Sequence, residues 1–407
     1  MKSKSKDILL VAPFTILPGE KGFNRFTYIA EQLSQKGHQI TLVTSSFQHN
    51  DKEFRNLNDI EQLQKKITYK VVLIEELGYM KNIGIDRIKS HRHFANQLSK
   101  YLKTLKNKPD MIYCAYPMME TAYIVGKYSK GNKIPLFMDI QDVWPESIKN
   151  ALPLPEKIVD VLLYPLTIYA NSIYKMADYV VAVSKSYIYR VQRVNHHAKS
   201  YLPVFIGTDL GYFDMNKQEG VRKVEGEFWI TYIGTLSYSY DLETVIRAVA
   251  ALKKRGMHQI VFKVIGSGPL KNKFVDLAIE LDAPVDFMGH LTYEDMIPYL
   301  SHSDIAANAI TKGAQQSITN KIGDFLAAGL PILNSSLNEE FSQIITEKNI
   351  GYNYLPGDYN HLADLIIDLQ KNENKRIELG KNARNLAEDQ FDRRYTYNDI
   401  YQLIEQC

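Results

Sequence analysis

The sequence predicts an α/β protein of two similar parallel-sheet domains joined by one linker, and three observations point to it. Short β-branched runs alternate with stretches of helical length and period. The runs are apolar throughout, and the rhythm breaks once and restarts. Continuously apolar strands between helices mean parallel sheets covered on both faces. A chain of 407 residues, 45% hydrophobic and 23% charged, has room for two such cores and is not disordered.

The first domain is assigned to 1–204. Its strands are ILLVAP at 8–13, QITLVTS at 39–45, ITYKVVLI at 67–74, DMIYCAY at 110–116, IPLFMDI at 134–140 and DYVVAVS at 178–184. A linker follows at 205–227, polar and without period. The second domain, 228–392, carries FWITYIG at 228–234, IVFKVIG at 260–266, PVDFMG at 284–289, DIAANAI at 304–310 and LPILNSS at 330–336. The last helical stretch, about 393–407, is expected to pack back on the first domain.

Lys2, Lys4 and Lys6 before ILLVAPFTIL superficially resemble a secretory leader. Asp7 interrupts the boundary and Pro18-Gly19-Glu20-Lys21 stands where a cleavage site should be, so the run reads as a buried strand. VDVLLYPLTIYANSIYKMA, from Val159, contains Asp160, Pro165, Asn171 and Lys175, too polar to span a bilayer core of about 30 Å. The only cysteines, Cys114 and Cys407, build neither a disulfide framework nor a four-cysteine zinc site, and a reducing compartment fits best.

Charge is unevenly placed. Residues 1–200 hold 29 Lys+Arg against 18 Asp+Glu, a net +11, and the remainder holds 20 against 28, a net −8. A basic half attracts nucleic acid, an anionic membrane or a phosphorylated substrate. No Lys/Arg block carries interleaved aromatics, so nucleic acid ranks last.

Ligands of open parallel sheets bind beyond the carboxyl ends of strands, and three turns there are suggestive. PGEKG at 18–22 precedes a helix, and its glycines let a substrate approach the backbone. Gly234-Thr235 opens a second turn, and Gly266-Ser267-Gly268-Pro269 is the third. SITNK at 317–321 leads into IGDFLAAG, where Thr319 or Asn320 would cap the helix. Free N–H groups and Lys321 would then face an anion, with Asp324 in reach of a sugar hydroxyl.

Together these motifs resemble a family 4 glycosyltransferase of the GT-B fold, which joins two Rossmann-like domains, over nearly the whole length. The resemblance rests on FNRFTYIAEQLSQKGHQITLVTS, DVWPESI at 142–148, ADYVVAVS, TYIGTLSYSYDLETVIRA, KVIGSGP, DFMGHLTYEDMIPYLSHSDI and NKIGDFLAAGLPIL. DVWPES resembles the branch that builds bacterial surface polysaccharides from amino-sugar donors. The resemblance implies two domains whose sheets face across a cleft and a UDP-sugar donor used with retention. Gly22 would lie near donor phosphate and acceptor, Gly234, Thr235, Gly266 and Gly268 beside the nucleotide, His290 and Leu291 beside the base, and Asn320 at the anion. The family's Glu-x7-Glu pair falls on Gln316 and Asp324. The family's histidine before an Asp is replaced by Gln141, with Asp142 retained. The usual Arg/Lys pair is missing from TLSYSYDLE, which leaves Lys321 as the cation for the diphosphate. Glu20 and Asp142 are the acceptor-side polar candidates. No Asp-x-Asp occurs in the sequence, and no metal or other cofactor is expected.

The stretch 88–108 sets Arg92, Lys100, Lys103, Lys106 and Lys108 beside Phe94, Leu98, Leu102 and Leu105, the composition of a helix able to lie on anionic lipid. A lipid-diphosphate-linked saccharide acceptor, on a peripheral enzyme at the inner face of the cell membrane, suits both this helix and the basic half. Two alternatives stand beside transfer: a UDP-sugar 2-epimerase of the same fold, and a catalytically silent nucleotide-sugar-binding subunit.

Overall fold

The structure is a computed structural model that describes residues 5–20, 22–81, 84–149, 155–217, 220–314 and 318–407. It divides into two compact units. The first comprises the described residues within Met1–Lys149 and Leu154–Val204, together with Tyr397–Cys407, and the second contains Phe205–Thr396.

The strands of the first unit are β1 (Asp7–Val11), β2 (Gln39–Ser45), β3 (Phe47–Gln48), β4 (Glu53–Phe54), β5 (Lys70–Ile74), β6 (Met111–Tyr116), β7 (Leu136–Ile140), β8 (Tyr179–Ala182) and β9 (Ser200–Pro203). Seven form one sheet of order β5-β2-β1-β6-β7-β8-β9, while β3 and β4 pair as a small antiparallel hairpin. The seven pair in parallel, with Ile8 opposite Ile40 and Val11 opposite both Val43 and Cys114. Burial on both faces explains why β6 and β7 are apolar at nearly every position.

In the second unit β10 (Phe228–Ile233), β11 (Ile260–Ile265), β12 (Val285–Gly289), β13 (Ile305–Asn308), β14 (Ile332–Asn334) and β15 (Gly351–Asn353) form a sheet of order β12-β11-β10-β13-β14-β15. Alternation along β10 feeds two cores: Phe228, Ile230 and Tyr232 pack with helix Leu242–Lys254, and Ile233 packs with Ile322, Phe325 and Leu326. Both sheets are doubly wound. Strand order reverses between β1 and β6 and between β10 and β13, where such sheets open a crevice for ligands.

The structure departs from the sequence reading in places. The stretch 205–227 was expected as a linker, but Leu210–Asn216 is a helix. Asp209 caps it through Tyr212 N at 3.0 Å, and Leu210 and Phe213, three positions apart, are buried. Edge strands β9 and β15 were not foreseen because they are short, and β9 is only half-buried and ends at Pro203. The C-terminal helix Asn398–Gln406 places Ile400, Tyr401 and Ile404 in the core of the first unit beside Ile8 and Leu10.

The helix Ile85–Thr104 corrects the expected lipid-facing surface. Its Phe94, Leu98 and Leu102 are in the protein core, while Arg92, Lys100 and Lys103 are exposed. Its apolar stripe is already used. The helix Glu156–Tyr174 shows the opposite arrangement: Ile158, Val161, Leu162, Tyr164, Leu166 and Ile168 are exposed, with Val161 at 75%. Among the described residues no helix is long and apolar enough to cross a membrane.

Candidate active site

In the second unit the loops after β10 and β13 close on each other at the switch point. Tyr240 bridges Ile310, Asp241 N donates to Ala309 O and Thr311 N to Ser239 O, both at 3.1 Å. The neighbouring turn needs its glycines for close backbone contact. A Cβ on Gly266, at φ +144°, would lie 1.9 Å from Gly234 O, and one on Gly268 would lie 2.4 Å from Leu236 O. Gly266 N donates to Gly289 O at 2.7 Å, and Leu236 N to Ser267 O at 3.0 Å, which locks β10, β11 and β12 together at their carboxyl ends. Gly234 and Thr235 are exposed there, and Thr235 O accepts from Tyr232 OH at 2.9 Å.

Lys321 enters this corner from the helix Lys321–Ala327 and is only 8% exposed. Its Nζ lies 4.2 Å from the Tyr232 ring centroid and 4.1 Å from that of Tyr240, and 3.9 Å from where a Cβ on Gly234 would stand. It has no hydrogen-bond partner among the described residues. Burial drives its pKa well below the ordinary lysine value. Lys321 was expected as an open cation. It is instead an amine held between two tyrosine faces, where the rings offer cation–π attraction but no counter-charge.

The expected helix cap also needs correction. Asn320 makes no side-chain cap bond, and Ile322 N and Gly323 N donate to Thr319 O and Asn320 O at 3.0 and 3.2 Å, so these N–H groups are not free for an anion. Asp324 is buried. Its Oδ1 accepts from Thr208 Oγ1 and, at 2.7 Å, from Tyr293 OH, and burial raises its pKa against the pull of these bonds. Gln316 lies outside the described residues. His290 is exposed and Leu291 half-buried, just beyond β12.

In the first unit the polar candidates are committed to local structure. Glu20 receives Arg55 Nε at 2.6 Å and Nη2 at 2.8 Å, and Leu17 N at 2.8 Å. Arg55 also donates to Thr15 O and Ser45 O, so the pair closes the first turn. Gly22 stands at φ +107° in that turn. Asp142 accepts from Val143 N at 2.9 Å, Trp144 Nε1 at 3.1 Å, Tyr187 OH at 3.2 Å and Ser147 Oγ; burial nonetheless raises its pKa. Gln141 donates to Asp139 Oδ1 at 2.6 Å. Asp139 is also bound by Arg25 Nε at 2.8 Å and Tyr113 OH at 2.6 Å in a fully buried network. Glu20, Asp142 and Gln141 thus shape their loops, and none offers an unengaged base.

Sequence reasoning missed Tyr232 and Tyr240 as walls for Lys321, and Thr208 and Tyr293 as partners of Asp324. Tyr240, in the turn GTLSYSYD, was a visible signal, while Thr208 was hidden in the supposed linker.

Residues 214–386 match the family model described as glycosyl transferases group 1. Lys321, Asp324 and the three glycines of the turn all lie inside it. An uncharacterized glycosyltransferase of Methanocaldococcus jannaschii is 23% identical over 239 residues, which cover 57% of this chain and 59% of that relative. Among solved structures, the fold is similar to a sucrose-phosphate synthase from Thermosynechococcus elongatus (TM-score 0.73, 16% identity, 98% of each chain). It is also similar to HepE of Anabaena in complex with UDP (TM-score 0.69, 15% identity, 98% of this chain and 100% of that one). A third is WaaG, a glycosyltransferase involved in lipopolysaccharide biosynthesis (TM-score 0.65, 15% identity, 96% and 98%). The two Rossmann-like units are those of the GT-B fold.

Proposed function

We propose that the protein is a retaining family 4 glycosyltransferase. It would move a sugar, best matched by an N-acetylated amino sugar, from a UDP-sugar to a lipid-linked or polysaccharide acceptor in bacterial surface-polysaccharide synthesis. The observation that carries this reading is Lys321, an unpaired amine buried at the switch point of a group 1 domain, beside the Gly234 and Gly266 turns. A buried amine without an acceptor is costly in the free protein and becomes useful when an anion arrives. A donor diphosphate at this corner would draw a proton onto Lys321. The ammonium would then oppose the charge that grows as the glycosidic bond breaks, in a site poor in competing water. No metal is required at the diphosphate in this account. That HepE binds UDP in the same fold supports uridine as the base.

For the membrane contact, the helix Glu156–Tyr174 suits the role better than Ile85–Thr104, because its apolar side chains are exposed. Tyr169, on that helix, packs at a tilt against Tyr123, whose ring carries Lys127, and Arg92 lies close enough to influence the Tyr169 phenol. An apolar ridge with cations at its flank is the pairing that anionic lipid rewards, at roughly 1 kcal/mol per basic residue near the surface. A panel of nucleotide sugars, assayed with and without acceptor, tests the reading. Transfer supports it, conversion of donor without acceptor indicates an epimerase, and binding without turnover indicates a silent subunit.

A further inference from the structure

Three side chains of the first unit converge in a place that the proposed transfer does not use. His49 follows β3, Glu76 follows β5, and His91 lies on the helix Ile85–Thr104. One ligand atom from each lies within 4.8 Å of the other two. His49 Nε2 and Glu76 Oε2 are 3.3 Å apart, close to the separation of two ligands around a tetrahedral ion with bonds of about 2.0–2.2 Å. His91 Nε2 is buried and makes no hydrogen bond among the described residues, while the buried His49 Nε2 has the Glu76 carboxylate as its ion-pair neighbour. Buried polar atoms are normally paired, so an orphaned imidazole nitrogen beside a histidine–carboxylate pair marks a missing shared partner.

We propose that His49, Glu76 and His91 form a binding site for a divalent transition metal of the zinc class.

The surroundings are those of a supported site. His49 Nδ1 meets Tyr79 OH at 2.8 Å, which fixes the ring and leaves Nε2 for the ion. Glu76 is 2% exposed, and its two oxygens accept from Ser45 Oγ at 2.5 Å and Ser90 Oγ at 2.8 Å, which orients the carboxylate. Two nitrogens and one oxygen suit Zn²⁺ or Co²⁺ and do not suit Mg²⁺ or Ca²⁺, which take oxygen ligands. Three protein ligands leave one position open. Lys52 and Arg87, which lie over the Tyr79 ring at 4.3 and 5.5 Å from its centroid, border the cluster. They hold affinity below that of a closed four-ligand site and favour an anion as the fourth ligand. The site is built wholly from the first unit, and its existence depends on no step of sugar transfer.

The test is titration of chelator-treated full-length protein with Co²⁺ alone, followed by competition with Zn²⁺. One Co²⁺ per chain should bind, with the intense visible absorption of a four- or five-coordinate site, and Zn²⁺ should displace it. His91→Ala and His49→Ala should each weaken binding by about tenfold or more, while the exposed pair His196→Ala/His197→Ala should leave it unchanged. Glu76→Gln supplies the same reading should a histidine variant fail to fold. No stoichiometric Co²⁺, binding that survives loss of the cluster residues, or binding lost with His196 and His197 overturns the assignment.

Discussion

Lys321→Met replaces the buried amine with a side chain of similar length and no charge. In the unfolded chain the lysine titrates near its ordinary value of 10.5, whereas burial places the folded value well below it. Between those two values the unfolded state holds a proton that the folded state lacks. Stability of the wild type therefore rises with pH there, by about 1.4 kcal/mol per unit, and this contribution is absent from Lys321→Met. The variant should be the more stable protein at pH 7, with its advantage shrinking as pH increases. For a unit of 150–250 residues, 1 kcal/mol moves Tm by about 2–4 °C, so the gap between the two proteins should narrow by roughly 3–6 °C per pH unit. Scanning calorimetry of both proteins at pH steps rising to 10.5, without ligand, measures it. A gap that stays constant would show that Lys321 is already charged in the free protein, and the cage would then have no part in tuning it.

Lys321→Ala should lower turnover by about 100- to 1000-fold, the cost of removing an electrostatic stabiliser, and Lys321→Arg should restore only part; steady-state kinetics with the best donor of the panel reads both. Asp324→Ala strands the Thr208 and Tyr293 hydroxyls and should cost about 1–3 kcal/mol in denaturant melts, whereas Asp324→Asn keeps the acceptor and should melt near the wild type. Co-sedimentation with anionic vesicles should fall as salt rises. It should also be lost in Val161→Glu/Leu162→Glu, while Lys100→Glu/Lys103→Glu/Lys106→Glu weakens it only in part; equal binding of all three proteins would remove Glu156–Tyr174 from the membrane account.

Much of the fold was legible because buried parallel strands write themselves as apolar runs. β2, β6 and β10 fall within a residue or so of their expected bounds. The glycines at 234, 266 and 268 were legible for a related reason, since close backbone approach leaves only one residue type. What the sequence hid was partnership. Nothing near Lys321 announces that Tyr232 and Tyr240 will enclose it, and nothing near Glu20 names Arg55. Amphipathic period misled where the same stripe serves either core or surface: Phe94, Leu98 and Leu102 turned inward, while Val161 and Leu162, in a run interrupted by Pro165, turned out. The His49, Glu76 and His91 cluster has no motif spacing, because three different loops and helices bring it together at one end of the sheet.

The central claim is that a nucleotide diphosphate binds at the Lys321 corner of the second unit. Thermal melting with UDP, GDP and ADP at matched concentrations tests it most directly, because a ligand that binds only the native state raises Tm by mass action. The largest shift should come with UDP, and UDP should shift Lys321→Ala less. A protein whose melting is unmoved by all three nucleotides would contradict the glycosyltransferase reading itself.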